Sequence, residues 1–292
     1  MVPMTLARVL TAVVLVPAVV GVVWWGSTGL VTACAGLVTL LALLEFLALG
    51  ARVGLHGYRL WTGLCALALL FAQLSVAEQE TWPLGLRLQV TRSSSSLAVP
   101  PELVLLVFLL GAAGIALFSR RPLAEVLPAL GISAAALLCV ALPFSYVVRV
   151  HGARPQGPRL LLFALVFVWV GDTLAYFVGR SVGRLSMAAR LSPKKTWEGA
   201  IANLFGSLLV AAVFVRWLTI EPRHLLLMAG LGNIAGQAGD LLESAYKRSA
   251  GVKDSSGLLP GHGGVLDRID ALILATPVVW YYFELVARGR AQ

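Results

Sequence analysis

Carboxylates and basic side chains are concentrated in the last third of this chain, among long apolar runs. Four polar residues recur at i, i+3, i+4 and i+7, which places them on one face of a helix: Asp240, Glu243, Ser244 and Lys247. Asp267 and Asp270 form a second pair at i, i+3. Ionisable groups at membrane depth are costly, so they indicate function by default. We therefore predict that both groups face a protein interior or a water-filled cleft.

The types of these side chains indicate chemistry on phosphates. Carboxylate oxygens without cysteine or several histidine ligands suit Mg²⁺, which binds through one or two carboxylates together with substrate phosphates. Gly263 and Gly264 let the backbone approach a ligand and offer N–H groups to phosphate oxygens. Four basic residues can neutralise charge during phosphoryl or nucleotidyl transfer: Lys247, Arg248, Lys253 and Arg268. His262 is either an acid–base group or a hydrogen-bonded loop residue.

A second polar cluster lies upstream, at residues 192–199. Lys194 and Lys195 precede an apolar run, and the pattern is typical of a helix start whose N-terminus favours an anion. Asp172 lies inside an earlier apolar run, where it could bind a metal or pair with a basic residue. The candidate metal ligands are Asp172, Asp240, Glu243, Asp267 and Asp270. The candidate catalytic residues are Asp240, Asp267, Lys247 and His262. The candidate substrate-binding residues are Ser192, Lys194, Lys195, Ser244, Arg248, Lys253, Gly263, Gly264 and Arg268.

Membrane-spanning helices must position these residues. Of the 292 residues, 59% are hydrophobic and 13% are charged, whereas a soluble domain carries about 25% charged residues. Apolar runs of about 17–25 residues can cross a bilayer as helices. Nine are predicted, at 8–25, 29–50, 60–76, 101–118, 125–148, 159–179, 198–218, 224–244 and 266–286. The predicted fold is all-α, a polytopic integral membrane helical bundle of about nine transmembrane helices. Glu45, in the second run, is predicted to have a structural role, facing water or pairing with Arg52 or Arg59.

Basic residues predict how the helices are oriented. With the N-terminus inside, most of the 23 Lys and Arg residues fall in inner segments, and the two richest loops, 180–197 and 245–267, share the cytoplasmic side. Topology and anionic head groups account for the net charge of +9, so we expect no nucleic-acid partner. The Ser-rich segment 77–100 is predicted to be an exposed connector. We divide the chain into N-terminal membrane-spanning helices, 1–160, and C-terminal catalytic membrane helices, 161–292, within one membrane domain.

These polar segments together resemble the signature of the phosphatidate cytidylyltransferases, also called CDP-diacylglycerol synthases. The matching segments are Asp172 with 175–176 and 179–180, then 192–199, 239–248, 253–254, 259–264 and 267–270. The resemblance covers about residues 165–285. The first half of the chain matches only in being multi-spanning.

The resemblance implies that CTP and phosphatidate react to give CDP-diacylglycerol and pyrophosphate, with Mg²⁺ required and a second cation as an option. It implies Asp240 and Asp267 as metal ligands. The lipid phosphate would attack the α-phosphorus of CTP in line, while metal and basic residues hold the triphosphate. A phosphate oxygen is already anionic near neutral pH, which argues against His262 as an essential base. Membrane lipids are expected partners, a homodimer stays open, and we expect a bacterial cytoplasmic (inner) membrane with the site facing the cytoplasm.

Two other classes of function fit part of the pattern. In an ion-coupled transporter, Asp172, Asp240 and Asp267 would form an ion or proton pathway. The transporter hypothesis does not explain the glycine-rich loop and its basic residues. Another CTP-using lipid enzyme, such as a polyprenol kinase, would use similar groups. The Asp-Gly-x-x-Ala-Arg pattern of the CDP-alcohol phosphatidyltransferases does not occur in the chain.

Overall fold

The computed structural model describes residues 4–79, 99–258 and 263–289. In these ranges the chain forms ten α-helices and one short antiparallel hairpin. The helices are α1 Met4–Trp25, α2 Thr28–Arg52, α3 Arg59–Gln79, α4 Pro101–Phe118, α5 Leu123–Ala136, α6 Leu142–Gly152, α7 Gly157–Val182, α8 Trp197–Phe214, α9 Pro222–Ser249 and α10 Leu266–Gly289. A π-helical turn, Leu137–Ala141, joins α5 to α6, and the hairpin strands are β1 Ser186–Ala188 and β2 Ser192–Thr196.

The apolar helices agree with the predicted spans. Eight helical segments of the described chain are long and apolar enough to cross a membrane, with α5, the π turn and α6 forming one of them, Leu123–Gly152. A further apolar stretch, Val13–Trp25, is shorter. The segments include α9 and α10, even though carboxylates interrupt their apolar pattern. The prediction of an all-α polytopic membrane bundle is confirmed, and the chain is an integral membrane protein.

Local sequence explains where several helices begin. The Ser27 hydroxyl caps α2 by accepting the Leu30 N–H at 3.2 Å. Pro101 and Pro222 stand in the first turns of α4 and α9, where a missing N–H breaks no helical hydrogen bond. Thr196 caps α8, and its hydroxyl accepts a backbone N–H of the first turn at 3.2 Å. The helix start predicted after Lys195 is therefore confirmed.

The C-terminal helices pack in sequence, α7 against α8, α8 against α9 and α9 against α10. Gly239 allows α9 to approach α10 closely, because a β-carbon there would lie 2.5 Å from the Asp270 carbonyl oxygen. α10 also packs on α6 and α2. The helices of the two predicted regions therefore share one interior, while the boundary between them stays a prediction.

The hairpin fills the first of the two basic loops, where no strand was predicted. The Glu198 carboxylate accepts the N–H groups of Arg184 at 3.0 Å and Leu185 at 3.3 Å, which holds the start of the hairpin against α8. At its turn, the Leu191 carbonyl accepts a hydrogen bond from the Arg248 guanidinium at 3.1 Å. The hairpin is thus attached to the end of α9. The connector predicted at 77–100 falls largely outside the described residues.

Candidate active site

Three carboxylates meet where α9 packs against α10. One oxygen from each of Asp240, Glu243 and Asp270 lies within 4.8 Å of the others. Like charges at such distances repel one another unless a cation or a proton lies between them. An oxygen-only donor set suits a hard divalent cation such as Mg²⁺. The three side chains therefore form a candidate cation site, called the carboxylate triad below.

Two lysines neutralise part of this charge. Lys195, on β2, forms an ion pair with Asp240. Lys247, one turn beyond Glu243 on α9, pairs with Glu243 and lies 2.6 Å from Asp267. The structure thus brings the upstream cluster at 192–199 together with the C-terminal carboxylates, although the two are about 45 positions apart in the sequence.

Asp267 differs from the three triad carboxylates because both of its oxygens already accept hydrogen bonds from other residues of the protein. One oxygen accepts from Lys247, and the other accepts the N–H groups of Gly264 at 2.7 Å and Ser255 at 3.1 Å. The Ser255 hydroxyl lies 3.0 Å from the same oxygen. These bonds close the loop between α9 and α10. The geometry thus brings Asp240 together with Glu243 and Asp270, and the role of Asp267 as a metal ligand stays a prediction.

A chain of three amide side chains, two of them buried, supports Asp172. The Asn203 side chain donates to the Asp172 carboxylate at 3.0 Å and accepts from Asn233 at 2.5 Å, and Gln237 donates to Asn233 at 2.7 Å. These bonds cross from α7 through α8 to α9 within the membrane-spanning region. Asp172 lies outside the triad but near enough to interact electrostatically with Asp240. Sequence analysis missed the amides, although polar residues inside apolar runs were the available signal.

Glu45 reaches the same loop from α2. Its side chain is buried, and its two oxygens accept four hydrogen bonds from residues more than 200 positions away. The donors are the hydroxyls of Ser255 at 2.9 Å and Ser256 at 2.6 Å, and the backbone N–H groups of Val265 at 3.0 Å and Leu266 at 2.8 Å. Glu45 therefore caps α10 from another helix.

This finding corrects the expectation for Glu45. It was predicted to have a structural role, either facing water or pairing with Arg52 or Arg59, and both of these expected settings are wrong. The sequence did mark Glu45 as unusual, because it is a lone acidic residue in an apolar run. The sequence did not indicate its partners, because no local pattern relates α2 to a loop two hundred residues later.

The other predicted residues lie on β2, on α9, on the loop that follows α9 and at the start of α10. Ser192 begins β2 and is partly buried, Ser244 is buried on α9, Lys194 and Lys253 are exposed, and Arg268 is exposed in the first turn of α10. Arg248 donates to the carbonyl oxygens of Leu191 and Val252, so it also holds loop backbone. His262 lies outside the described residues. Lys194 and Lys253 lie on the two loops that the charge pattern assigns to one side of the membrane.

Gly263 and Gly264 lie against the carboxylates of this loop. Gly263 has φ +78°, in the left-handed region that favours glycine, and a β-carbon there would lie 2.6 Å from an Asp267 oxygen. A β-carbon at Gly264 would overlap both the Ser255 hydroxyl and the Glu45 carboxylate. The two glycines are needed to close the loop, whether or not they also meet a substrate.

Gly264→Ala is expected to destabilise the protein by about 1–3 kcal/mol, because the added methyl must displace the Glu45 or Ser255 side chain. Thermal unfolding of the purified full-length protein in detergent measures this as a lower Tm. Gly257→Ala is the matched control, since a β-carbon at Gly257 meets no atom within 4 Å. Equal Tm values for the two variants would contradict the described loop.

Comparison with known proteins settles the family. The family model described as Cytidylyltransferase family matches residues 6–286. The chain belongs to the cytidylyltransferase family. This match extends through the first half, which the sequence resemblance had related to the family only as multi-spanning. Glu45 and the carboxylate triad therefore both lie within the region that the family model matches.

Several curated relatives are named phosphatidate cytidylyltransferase. The chain is 42% identical to the one from Haemophilus influenzae over 137 residues, which covers 45% of this chain and 48% of the relative. It is 37% identical to the one from Bacillus subtilis over 152 residues, 51% of this chain and 56% of the relative. It is 42% identical to the one from Brucella abortus over 144 residues, which covers 47% of this chain and 51% of the relative. The chain thus spans about half the length of the curated relatives it matches.

Proposed function

We propose that this chain transfers CMP from CTP to phosphatidate, giving CDP-diacylglycerol and pyrophosphate. The observation that carries the proposal is the carboxylate triad flanked by Lys195 and Lys247, inside a membrane-spanning chain of the cytidylyltransferase family. An acidic site that is paired with cations suits a reaction between two polyanionic phosphates. The names of the relatives supply the substrate class.

We propose that Asp240, Glu243 and Asp270 hold Mg²⁺. Their fit rests on three carboxylate oxygens that converge within 4.8 Å with no sulfur ligand among them. When bound, Mg²⁺ would neutralise charge on the triphosphate and on the departing pyrophosphate. Asp172 and Asp267 lie beside the triad, and a second cation near them stays a prediction.

The protein's own residues bind and orient the two phosphates. An anionic oxygen of phosphatidate forms a bond to the α-phosphorus of CTP, and the bond from that phosphorus to the pyrophosphate oxygen breaks. Lys195 and Lys247 lie beside the triad and would stabilise charge that moves onto the leaving group. No side chain needs to remove a proton, because the attacking oxygen carries none near neutral pH. The proposal therefore requires no base at His262.

The location of the triad suits one substrate dissolved in the bilayer and one in water. Asp240 is one-third exposed in the second half of α9, while Asp270 lies about a turn into α10. A lipid phosphate could approach from the membrane side and CTP from the basic loops. We propose a bacterial inner membrane with these loops in the cytoplasm, where CTP is made. A homodimer stays a prediction.

Pyrophosphate release tests the proposal. Full-length protein in detergent would receive CTP, phosphatidate and Mg²⁺, and we expect release that stops when Mg²⁺ is chelated. Replacing phosphatidate with a polyprenol distinguishes the lipid-kinase alternative, which predicts CDP and a phosphorylated polyprenol instead. Wild-type protein that releases no pyrophosphate, or an Asp240→Asn variant that matches it, would contradict the proposed function. Membership of the cytidylyltransferase family already favours an enzyme over a transporter.

A further inference from the structure

Glu45 is an acidic side chain of the first half that is bound entirely by the C-terminal loop. One oxygen accepts from Ser256 and Val265, and the other accepts from Ser255 and Leu266. All four donor–acceptor distances lie between 2.6 and 3.0 Å. An acidic residue that only faced solvent from α2 would not accept hydrogen bonds from two hydroxyls and two backbone N–H groups of one distant segment.

The chemistry of these contacts requires a carboxylate. Each oxygen faces a backbone N–H group, which can only donate, so an amide at this position would turn its NH₂ group towards one of these donors. The two N–H groups belong to the start of α10, whose unpaired donors and positive end of the helix dipole favour an anion. Position 45 is therefore matched to a negative charge, even though it lies in a buried part of a membrane helix.

Glu45 is linked to the triad through three intermediate residues. The Ser255 hydroxyl lies 2.9 Å from Glu45 and 3.0 Å from Asp267, and Asp267 contacts Lys247, the partner of Glu243. Asp270 is carried on the same α10 whose first turn Glu45 caps. A shift of the Glu45 side chain would therefore displace the loop, the start of α10 and the triad together.

We propose that Glu45 is a positioning residue for the transfer reaction, acting from α2 through the α9–α10 loop. It holds Ser255, Ser256 and the start of α10 so that Asp270 stays opposite Asp240 and Glu243. The inference rests on the proposed function for its kinetic consequence. Its structural part, the fixing of Ser255, Ser256 and the start of α10 by one carboxylate of the first half, is independent of which substrate the site uses.

Glu45→Gln is the main test, with Glu125→Gln as the matched control because Glu125 is an exposed acid in the first turn of α5. Removing a hydrogen-bonding residue that holds the ligands of a metal site in place lowers activity by roughly 10- to 100-fold. We expect Glu45→Gln to lower kcat by about that factor, with a smaller change in the KM for CTP, and Glu45→Asp to recover part of the loss. Hydrogen–deuterium exchange should rise in residues 253–268 and stay unchanged in α3 and α4.

Ser256→Ala provides a gentler variant if Glu45→Gln does not fold. It removes one of the four bonds and leaves the backbone bonds in place. If the two residues act together, the double variant Glu45→Gln/Ser256→Ala should lose less activity than the product of the two single losses. Independent losses, or wild-type exchange in 253–268 for both variants, would overturn the proposal.

The two proposals fail in different ways. If wild-type protein releases no pyrophosphate, the proposed function is wrong, but the exchange experiment still tests whether Glu45 fixes the loop. If wild-type protein is active and the Glu45 variants match it in kcat and in exchange, the positioning role is wrong and the proposed function stands. A uniform rise of exchange across all helices would show a general stabilising role and would also overturn the proposal.

Discussion

Asp270→Asn is expected to lower pyrophosphate release by about 100- to 1,000-fold, the size of effect seen when one electrostatic stabiliser is removed from an active site. The same variant should make the metal-free protein more stable, because it relieves repulsion among three carboxylates within 4.8 Å. Mg²⁺ should raise the Tm of the wild type and leave that of the variant nearly unchanged. Activity and thermal unfolding with and without Mg²⁺ measure both effects.

Asp254→Asn is the control for this substitution, because Asp254 is exposed on the same loop and lies outside the triad. Asp267→Asn separates the two kinds of carboxylate. Since Asp267 accepts bonds from Ser255, Gly264 and Lys247, its loss should lower the Tm in the absence of metal. A metal-free Tm that falls for Asp270→Asn and rises for Asp267→Asn would contradict the assignment of the cation site.

Lys247→Met is expected to destabilise the protein by about 3–5 kcal/mol, the usual result of leaving a buried charge without its partner. The Lys247 side chain is 13% exposed, and it contacts Glu243, 3% exposed, and Asp267, 6% exposed. Without the ammonium group, two buried carboxylates would face each other. A large fall in the Tm of the full-length protein in detergent is the measurement.

Lys253→Met serves as the control for Lys247→Met, since Lys253 is exposed on the following loop. The double variant Lys247→Met/Glu243→Gln should recover part of the lost stability, because it removes one of the two repelling charges. No recovery in the double variant, or a Tm for Lys247→Met equal to that of the control, would show that the ion pairs contribute little to stability.

The spans and the face of α9 were predictable because they follow from strong local constraints. A backbone in lipid must satisfy its own hydrogen bonds, so apolar runs of sufficient length become helices. The i, i+3 and i+7 spacing placed Asp240, Glu243 and Lys247 on one side of α9, and in the structure Glu243 lies near Asp240 and pairs with Lys247. Thr196 marked the start of α8 through its capping chemistry.

Contacts between distant segments were not predictable from such patterns. Asp267 and Asp270 have the same spacing as other helical pairs, and only the packing of α10 shows that one closes a loop and the other meets the triad. The hairpin was missed because strands of three and five residues carry little periodicity. The partners of Glu45 were missed because a single chain contains no sign of which helix meets which loop.

The capping of α10 by Glu45 also has a consequence for how the chain is made. α2 enters the bilayer when residues 253–266 have not yet been synthesised, so its carboxylate must wait without the four donors that it later binds. An unpartnered carboxylate is costly in lipid. We therefore expect the second span to stay near the translocation machinery, or to keep Glu45 in contact with water, until the last helix is inserted. Membrane insertion of this protein should accordingly end in one late step, in which the final loop completes a helix that was inserted near the beginning.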